Sequence, residues 1–316
     1  MQILLENTHP YQLLQRERQN GGLSHAYLLL CSDEEILRES LRFFAGAFFP
    51  QENRILSLIE KESFCDCQFF PKEGKKLSVE DATTILEESS VKPLEGEKKV
   101  FVVDGFQTAS PAVQNKLLKI LEEPPFGVHF LLGATTEFSL LPTVLSRVKK
   151  LEMPAFSTAQ LQGYLGRNYP SFDEKELAFF ASAACGKLSS ARALTGNSFY
   201  KETLDDALKL TFASLAELPS LCKKIGEKGR KESLLSLLEI LFRDGAFLAA
   251  KKGLDGYLLS PFYKKEIEKI ANIYPVGVLL SFQAKIREAQ KQIKFNANFT
   301  QCLQMLFVWL VEKRKF

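Results

Sequence analysis

The residues able to do chemistry stand behind three short apolar runs. "LLLCSDEEILRES" (28–40) continues the first, "VFVVDGFQTAS" (100–110) closes the second, and "GATTEFSLLPTVLSRVKKL" (133–151) trails the third. In open α/β sheets ligands gather at the carboxyl ends of the strands, so each stretch is a candidate site. The first is where a phosphate loop would stand. Such a loop needs glycines for its turn, a Lys for the phosphates and a Ser or Thr for Mg²⁺. Between Leu30 and Ser40 there is neither Gly nor Lys, and Asp33, Glu34, Glu35 and Glu39 repel a triphosphate. G-x-x-x-x-G-K-[ST] occurs nowhere in the chain. In the second stretch Asp104 holds the place of a Mg²⁺-binding carboxylate, but Gly105 follows it instead of a second acid. Alone, Asp104 fits a turn residue ending a strand better than a metal ligand. In the third, Thr135 and Thr136 can contact a phosphate or cap a turn, and Arg147 supplies a permanently charged, planar guanidinium.

The runs that carry these groups are "HAYLLL" (25–30), "KKVFVVD" (98–104) and "VHFLLGA" (128–134), apolar on both faces as buried parallel strands are. Helical spacing separates them, which predicts βαβ units around a parallel sheet. A helix over 111–123 starts at Ser110 as N-cap with Pro111 in first position, buries Val113, Leu117, Ile120 and Leu121, and stops at Pro124 and Pro125. Ser78 with Asp81 predicts a capping box for a second helix over 77–89. Glu122 and Glu123 oppose the dipole at the end of the first helix. Two readings stay open: they pair with basic groups at or near a subunit interface, or they are solvated. Beyond residue 152 the strand runs fade and the pattern is helical, with a break at Gly186; the basic tail "EKRKF" reads as a frayed terminus.

The chain has 316 residues, 46% hydrophobic, with a formal charge of +3. That supports two or three packed domains and excludes a disordered or strongly basic chain. No secretion signal and no membrane-length apolar run is present, and the six scattered cysteines suit a reducing cytoplasm. Cys65 and Cys67 supply half a tetrahedral zinc site at best and read as structural or vestigial. Lys72, Lys75 and Lys76 precede the helix at Ser78, a weak candidate for DNA phosphate contact beside the plainer reading of solvated surface.

"SHAYLLL" (24–30), "VFVVDGFQTASPAVQNKLLKILEEPP" (100–125) and "FLLGATTEFSLLPTVLSRV" (130–148) together resemble the AAA+ clamp-loader family, in particular the delta-prime subunits of bacterial DNA polymerase III. The resemblance covers roughly residues 20–155. It implies an α/β AAA+ (P-loop NTPase-like) parallel-sheet domain over 1–152, a small helical lid over 153–202 and an all-α collar over 203–316. It implies partners: the tau/gamma and delta subunits, and through the complex the sliding clamp and primer–template DNA. Asp104 falls on the Walker B position, degenerate here. Arg147 falls on the Ser-Arg-Cys arginine, which acts in trans on the neighbouring subunit's ATP site, with Ser146 beside it at the interface. No bound ATP and no zinc are implied for this chain: the phosphate loop is missing, and of the family's four-Cys zinc module only Cys65 and Cys67 stand near the right place. Val148 replaces the motif cysteine. Ser189 stands where a sensor arginine would, leaving Arg192 to packing or surface. Two other readings remain: an AAA+ ATPase with an atypical nucleotide loop, and a non-replicative scaffold on the same fold.

Overall fold

Five short segments pair side by side, all parallel, in the order Cys67–Phe70, Lys99–Val103, Val128–Ala134, Ala26–Leu30 and Lys149–Glu152. In this computed structural model residues 1–72, 74–196, 200–250, 258, 263–294 and 297–314 are described. They fall into two compact units, Met1–Ala155 and Phe156–Phe316.

The first unit runs α1 (Gln2–Glu6), α2 (His9–Gln19), β1 (Ala26–Leu30), α3 (Glu34–Gly46), α4 (Asn53–Glu60), β2 (Cys67–Phe70), α5 (Val79–Ser89), β3 (Lys99–Val103), a 3₁₀ turn (Phe106–Thr108), α6 (Pro111–Glu122), β4 (Val128–Ala134), α7 (Pro142–Leu145) and β5 (Lys149–Glu152). The three predicted strands β1, β3 and β4 occupy the middle of the sheet. Their side chains are buried on both faces, which is why the sequence runs are continuously apolar. Phe101 of β3 stacks on Phe130 of β4 with centroids 5.5 Å apart, and register pairs the two residues directly. The edge strands are additions to the sequence reading. β5 is mostly exposed and carries Lys149 and Lys150, and charge of that kind blunts an open edge.

The predicted caps form. Ser78 Oγ accepts from the Asp81 N–H (3.0 Å) and Asp81 Oδ2 from the Ser78 N–H (2.9 Å). Ser110 Oγ accepts from the Val113 N–H (3.4 Å). Between α6 and β4 the chain turns at Gly127, whose φ is +77°; a Cβ there would meet the Glu97 carbonyl oxygen at 2.3 Å, so only glycine fits.

His129 on β4 sets a pH dependence. Its Nδ1 lies 2.9 Å from the Ser24 carbonyl and its ring packs against Phe48. Burial pulls its pKa below the ordinary 6.5, outweighing the Ser24 hydrogen bond, and the Lys98 and His25 charges pull the same way. The unfolded chain therefore takes up this proton first as pH falls, so stability is full above about 6.5 and declines below it, by at most about 1.4 kcal/mol per pH unit. Urea midpoints at pH 7.5 and 5.5 should fall less in His129→Gln than in the wild-type chain.

The second unit is helical throughout its described residues: α8 (Thr158–Asn168), α9 (Glu174–Ala183), α10 (Leu188–Gly196), α11 (Tyr200–Phe212), α12 (Leu218–Gly226), α13 (Lys231–Ala250), α14 (Lys264–Ile273), α15 (Val276–Lys294) and α16 (Phe299–Val311). The break falls where it was expected: Cys185 and Gly186, between α9 and α10, both have left-handed φ. Phe242, Phe282 and Phe307 form a buried aromatic row, with centroids 4.4 and 5.6 Å apart. The tail departs from the expected fraying as far as Arg314. Its Nε donates to Tyr274 Oη (2.8 Å) and its Nη2 to the carbonyls of Thr211 (2.9 Å) and Ala213 (2.6 Å). Lys315 and Phe316 lie outside the described residues.

Candidate functional site

At the carboxyl end of β1 only Cys31, Ser32 and Asp33 separate strand from helix. A Walker-type loop spans seven residues from its first glycine through its lysine. The link here is pulled tight: the Cys31 N–H donates to the Ala134 carbonyl (3.0 Å), and Asp33 is buried at the N-cap position of α3. Glu34 and Glu35 fill the first turn, which suits the helix dipole and repels phosphate.

Asp104 follows β3, its N–H donating to the Phe70 carbonyl (2.7 Å). Its Oδ2 lies 3.3 Å from Nη1 of Arg38, on α3. The same Nη1 donates to the Pro71 carbonyl (3.1 Å), while Arg38 Nε and Nη2 grip the two oxygens of Glu62 at 2.7 and 2.5 Å. Arg42, one turn along α3, also reaches Glu62 (2.7 Å). Burial pushes the Asp104 carboxyl above the ordinary range, and Arg38 opposes that. Burial acts on Glu62 too, but hydrogen bonds from both arginines outweigh it and hold Glu62 low. Glu62 pays a backbone cost for this place. Its φ of 54° puts it in the left-handed turn that ends α4, a position favouring glycine by about 1–2 kcal/mol. Asp104 is thus engaged by an arginine of its own chain. Arg38, Arg42 and Glu62 went unnoticed in the sequence; the one available hint was a pair of arginines four apart on an otherwise amphipathic helix.

The loop after β4 is tied down by side chains. Gln107 Oε1 accepts from the Thr135 N–H (3.3 Å), Thr136 Oγ1 caps the turn at the Phe138 N–H (3.3 Å), and Ser139 Oγ donates to the Gln107 carbonyl (2.7 Å). Buried Gln114 on α6 joins this loop to the helix: its Nε2 donates to the carbonyls of Ala109 (3.1 Å) and Ser139 (3.0 Å), and its Oε1 accepts from the Leu141 N–H (2.8 Å). Gln114 therefore fixes the start of α7, the short helix that leads to Ser146 and Arg147.

Arg147 meets Glu122, the last residue of α6. Nε and Nη2 both reach Glu122 Oε2, at 3.1 and 2.7 Å. Nη1 donates to the Thr143 carbonyl (2.9 Å) and to Ser146 Oγ (3.3 Å). So the basic partner of Glu122 lies in the same chain, and Val148 is buried behind it. Glu123 is exposed, and its N–H closes α6 on the Lys119 carbonyl (3.0 Å).

The remaining candidates stand apart from this arrangement. Lys72, Lys75 and Lys76 are exposed, but the first turn of α5 beside them carries Glu80 and Asp81 and is already capped. Arg192 packs in the second unit, Nε donating to Tyr164 Oη (2.9 Å) with the guanidinium 5.4 Å from that ring. Cys67 is buried in β2, whereas Cys65 Sγ lies 3.7 Å from Glu95 Oε1. Among the described residues no group of three or more His, Cys, Asp and Glu is placed to hold a metal, and no helix is long and apolar enough to cross a membrane.

Residues 6–157, which take in all three candidate strand ends, match the family described as DNA polymerase III, delta subunit. Over those residues the chain resembles DNA polymerase III clamp-loader subunits. The tau/gamma subunit of DNA polymerase III from Haemophilus influenzae is 34% identical over 127 residues, covering 39% of this chain and 18% of that protein. The delta' subunit from the same organism is 38% identical over 77 residues, covering 24% of each. The matches thus span about a fifth of the length of these clamp-loader relatives. The solved structure of a gamma subunit-related protein from Thermotoga maritima aligns over 96% of this chain and 99% of that one at 17% identity, with a TM-score of 0.45. The fold is a five-stranded parallel sheet followed along the chain by a region whose described elements are all helices.

Proposed function

We propose that this chain is a delta-prime-like subunit of the clamp loader that neither binds nor hydrolyses ATP. In this reading it assembles in the cytoplasm with tau/gamma and delta to load the sliding clamp on primer–template DNA. It needs no zinc. Residues 153–202 act as the lid and 203–316 as the collar through which subunits associate. Lys72, Lys75 and Lys76 remain the weakest part of the reading, as a DNA contact made within the complex.

The observation that carries it is the three-residue link before α3 together with Arg38 on Asp104. The place for phosphates is closed and the acid for Mg²⁺ is neutralised by the chain itself. What is left with a use for a nucleotide is Arg147, on a surface turn. A guanidinium there can enter a neighbouring subunit's site and meet the charge that develops on the transferred phosphoryl oxygens, while Ser146 and Thr143 steady it.

Equilibrium titration of the isolated chain with fluorescent ATP and Mg²⁺ should give no saturable binding up to millimolar nucleotide. Mixed with tau/gamma, delta and the clamp, the chain should enter a stable complex whose ATPase depends on its presence. Micromolar ATP binding by the isolated chain would transfer the assignment to an ATPase with an atypical loop, and failure to assemble would transfer it to a non-replicative scaffold.

A further inference from the structure

We propose that Glu122 is a displaceable counter-ion for Arg147, held on it until a phosphate of the neighbouring ATP site takes its place. This rests on the role in trans given to Arg147 above. The guanidinium has five N–H donors, and its two edges are used differently. The Nη1 corner is anchored to the turn by the Thr143 carbonyl and Ser146 Oγ. The Nε–Nη2 edge, the one suited to bidentate recognition of an oxyanion, is given wholly to a single carboxylate oxygen, Glu122 Oε2. One edge therefore fixes where the guanidinium sits and the other carries an anion in the place of a phosphate.

Two features make that anion easy to exchange. The pair is open to water, with side-chain exposures of 27% for Arg147 and 56% for Glu122, and pairs of this kind hold weakly. Glu122 also ends α6, where the helix dipole works against a carboxylate. A phosphate brings more charge and the same fork geometry, so it displaces Glu122 while the Nη1 corner stays anchored. The acid at the helix end then has a use. It keeps a cation paired and oriented before assembly, and competes with the nucleotide afterwards.

The test is ATPase titration of the reconstituted loader carrying Glu122→Gln, Arg147→Ala or both. Glu122→Gln removes the competing charge and keeps the shape, so the KM for ATP should fall about 2- to 5-fold, more at low salt than at high. The fall should vanish in the Arg147→Ala background. A KM that is unchanged or raised by Glu122→Gln overturns the proposal, as does an equal fall when Arg147 is absent. If Arg147→Ala alone leaves turnover intact, the role in trans has failed. If Arg147→Ala lowers turnover and Glu122→Gln leaves KM unmoved, only the counter-ion has failed.

Discussion

Arg147→Ala is expected to silence the ATP site of the neighbouring subunit, lowering its turnover by about 10³–10⁵, the range measured for arginine fingers. The whole loader's ATPase, stimulated by clamp and primed DNA, should lose that site's entire share. Arg147→Lys should fail nearly as badly. The arginine is held at its Nη1 corner by Thr143 and Ser146 while its other edge remains a two-donor fork, and an ammonium point charge cannot do both at once. Neither change should dissolve the complex, because the side chain lies on a surface turn and its ion pair with Glu122 is a water-exposed one. Sedimentation of the assembled variant keeps loss of chemistry apart from loss of assembly. Turnover equal to wild type in an intact complex would remove Arg147 from this role.

What could be read from the sequence followed from how local each determinant is. β1, β3 and β4 were legible because strands buried on both faces are written as unbroken apolar runs. β2 and β5 were not: "CQFF" is shorter than the usual strand, and "KKLE" has a single buried residue, Leu151. Caps were legible at Ser78 and Ser110 because capping is a matter of three residues. The missing phosphate loop was legible because it is a statement about residue types within ten positions. What replaces it was not. Arg38 meets Asp104 across 66 residues and Arg147 meets Glu122 across 25, and no spacing rule reaches that far. Gln114 was part of the motif that carried the family resemblance, yet its work is invisible in the motif. A glutamine beside an apolar stripe reads as surface, whereas here it is buried and satisfies three backbone groups that set the course toward Arg147. The resemblance therefore pointed to Arg147 without the contacts that hold it.

The largest expected effect on stability lies at the Arg38–Glu62–Asp104 cluster. Arg38→Ala should cost about 2–4 kcal/mol, somewhat less than the 3–5 typical of breaking a fully buried ion pair, because the three side chains retain a little water. Their exposures are 11% for Arg38, 17% for Glu62 and 22% for Asp104. Glu62 would keep Arg42, but Asp104 would be left in a desolvated place with its Arg38 ion pair gone. Its carboxyl would then titrate still higher above its unfolded value. A carboxyl raised in this way binds its proton more readily folded than unfolded, so the variant's deficit should be widest at neutral pH and narrow as pH falls toward about 4. Adding Asp104→Asn should recover part of the loss at pH 7, since it removes the stranded charge and keeps the shape. Urea unfolding of the single and double variants at pH 7 and 5 measures both effects; a deficit that is the same at the two pH values would mean that Arg38 contributes packing and not charge. The same variants bear on the proposal that this chain binds no nucleotide. If Arg38 alone kept nucleotide out, Arg38→Ala would bind ATP. It should not, because removing a side chain does not lengthen the three-residue link between β1 and α3 or supply the backbone N–H groups that a phosphate loop turns toward its ligand.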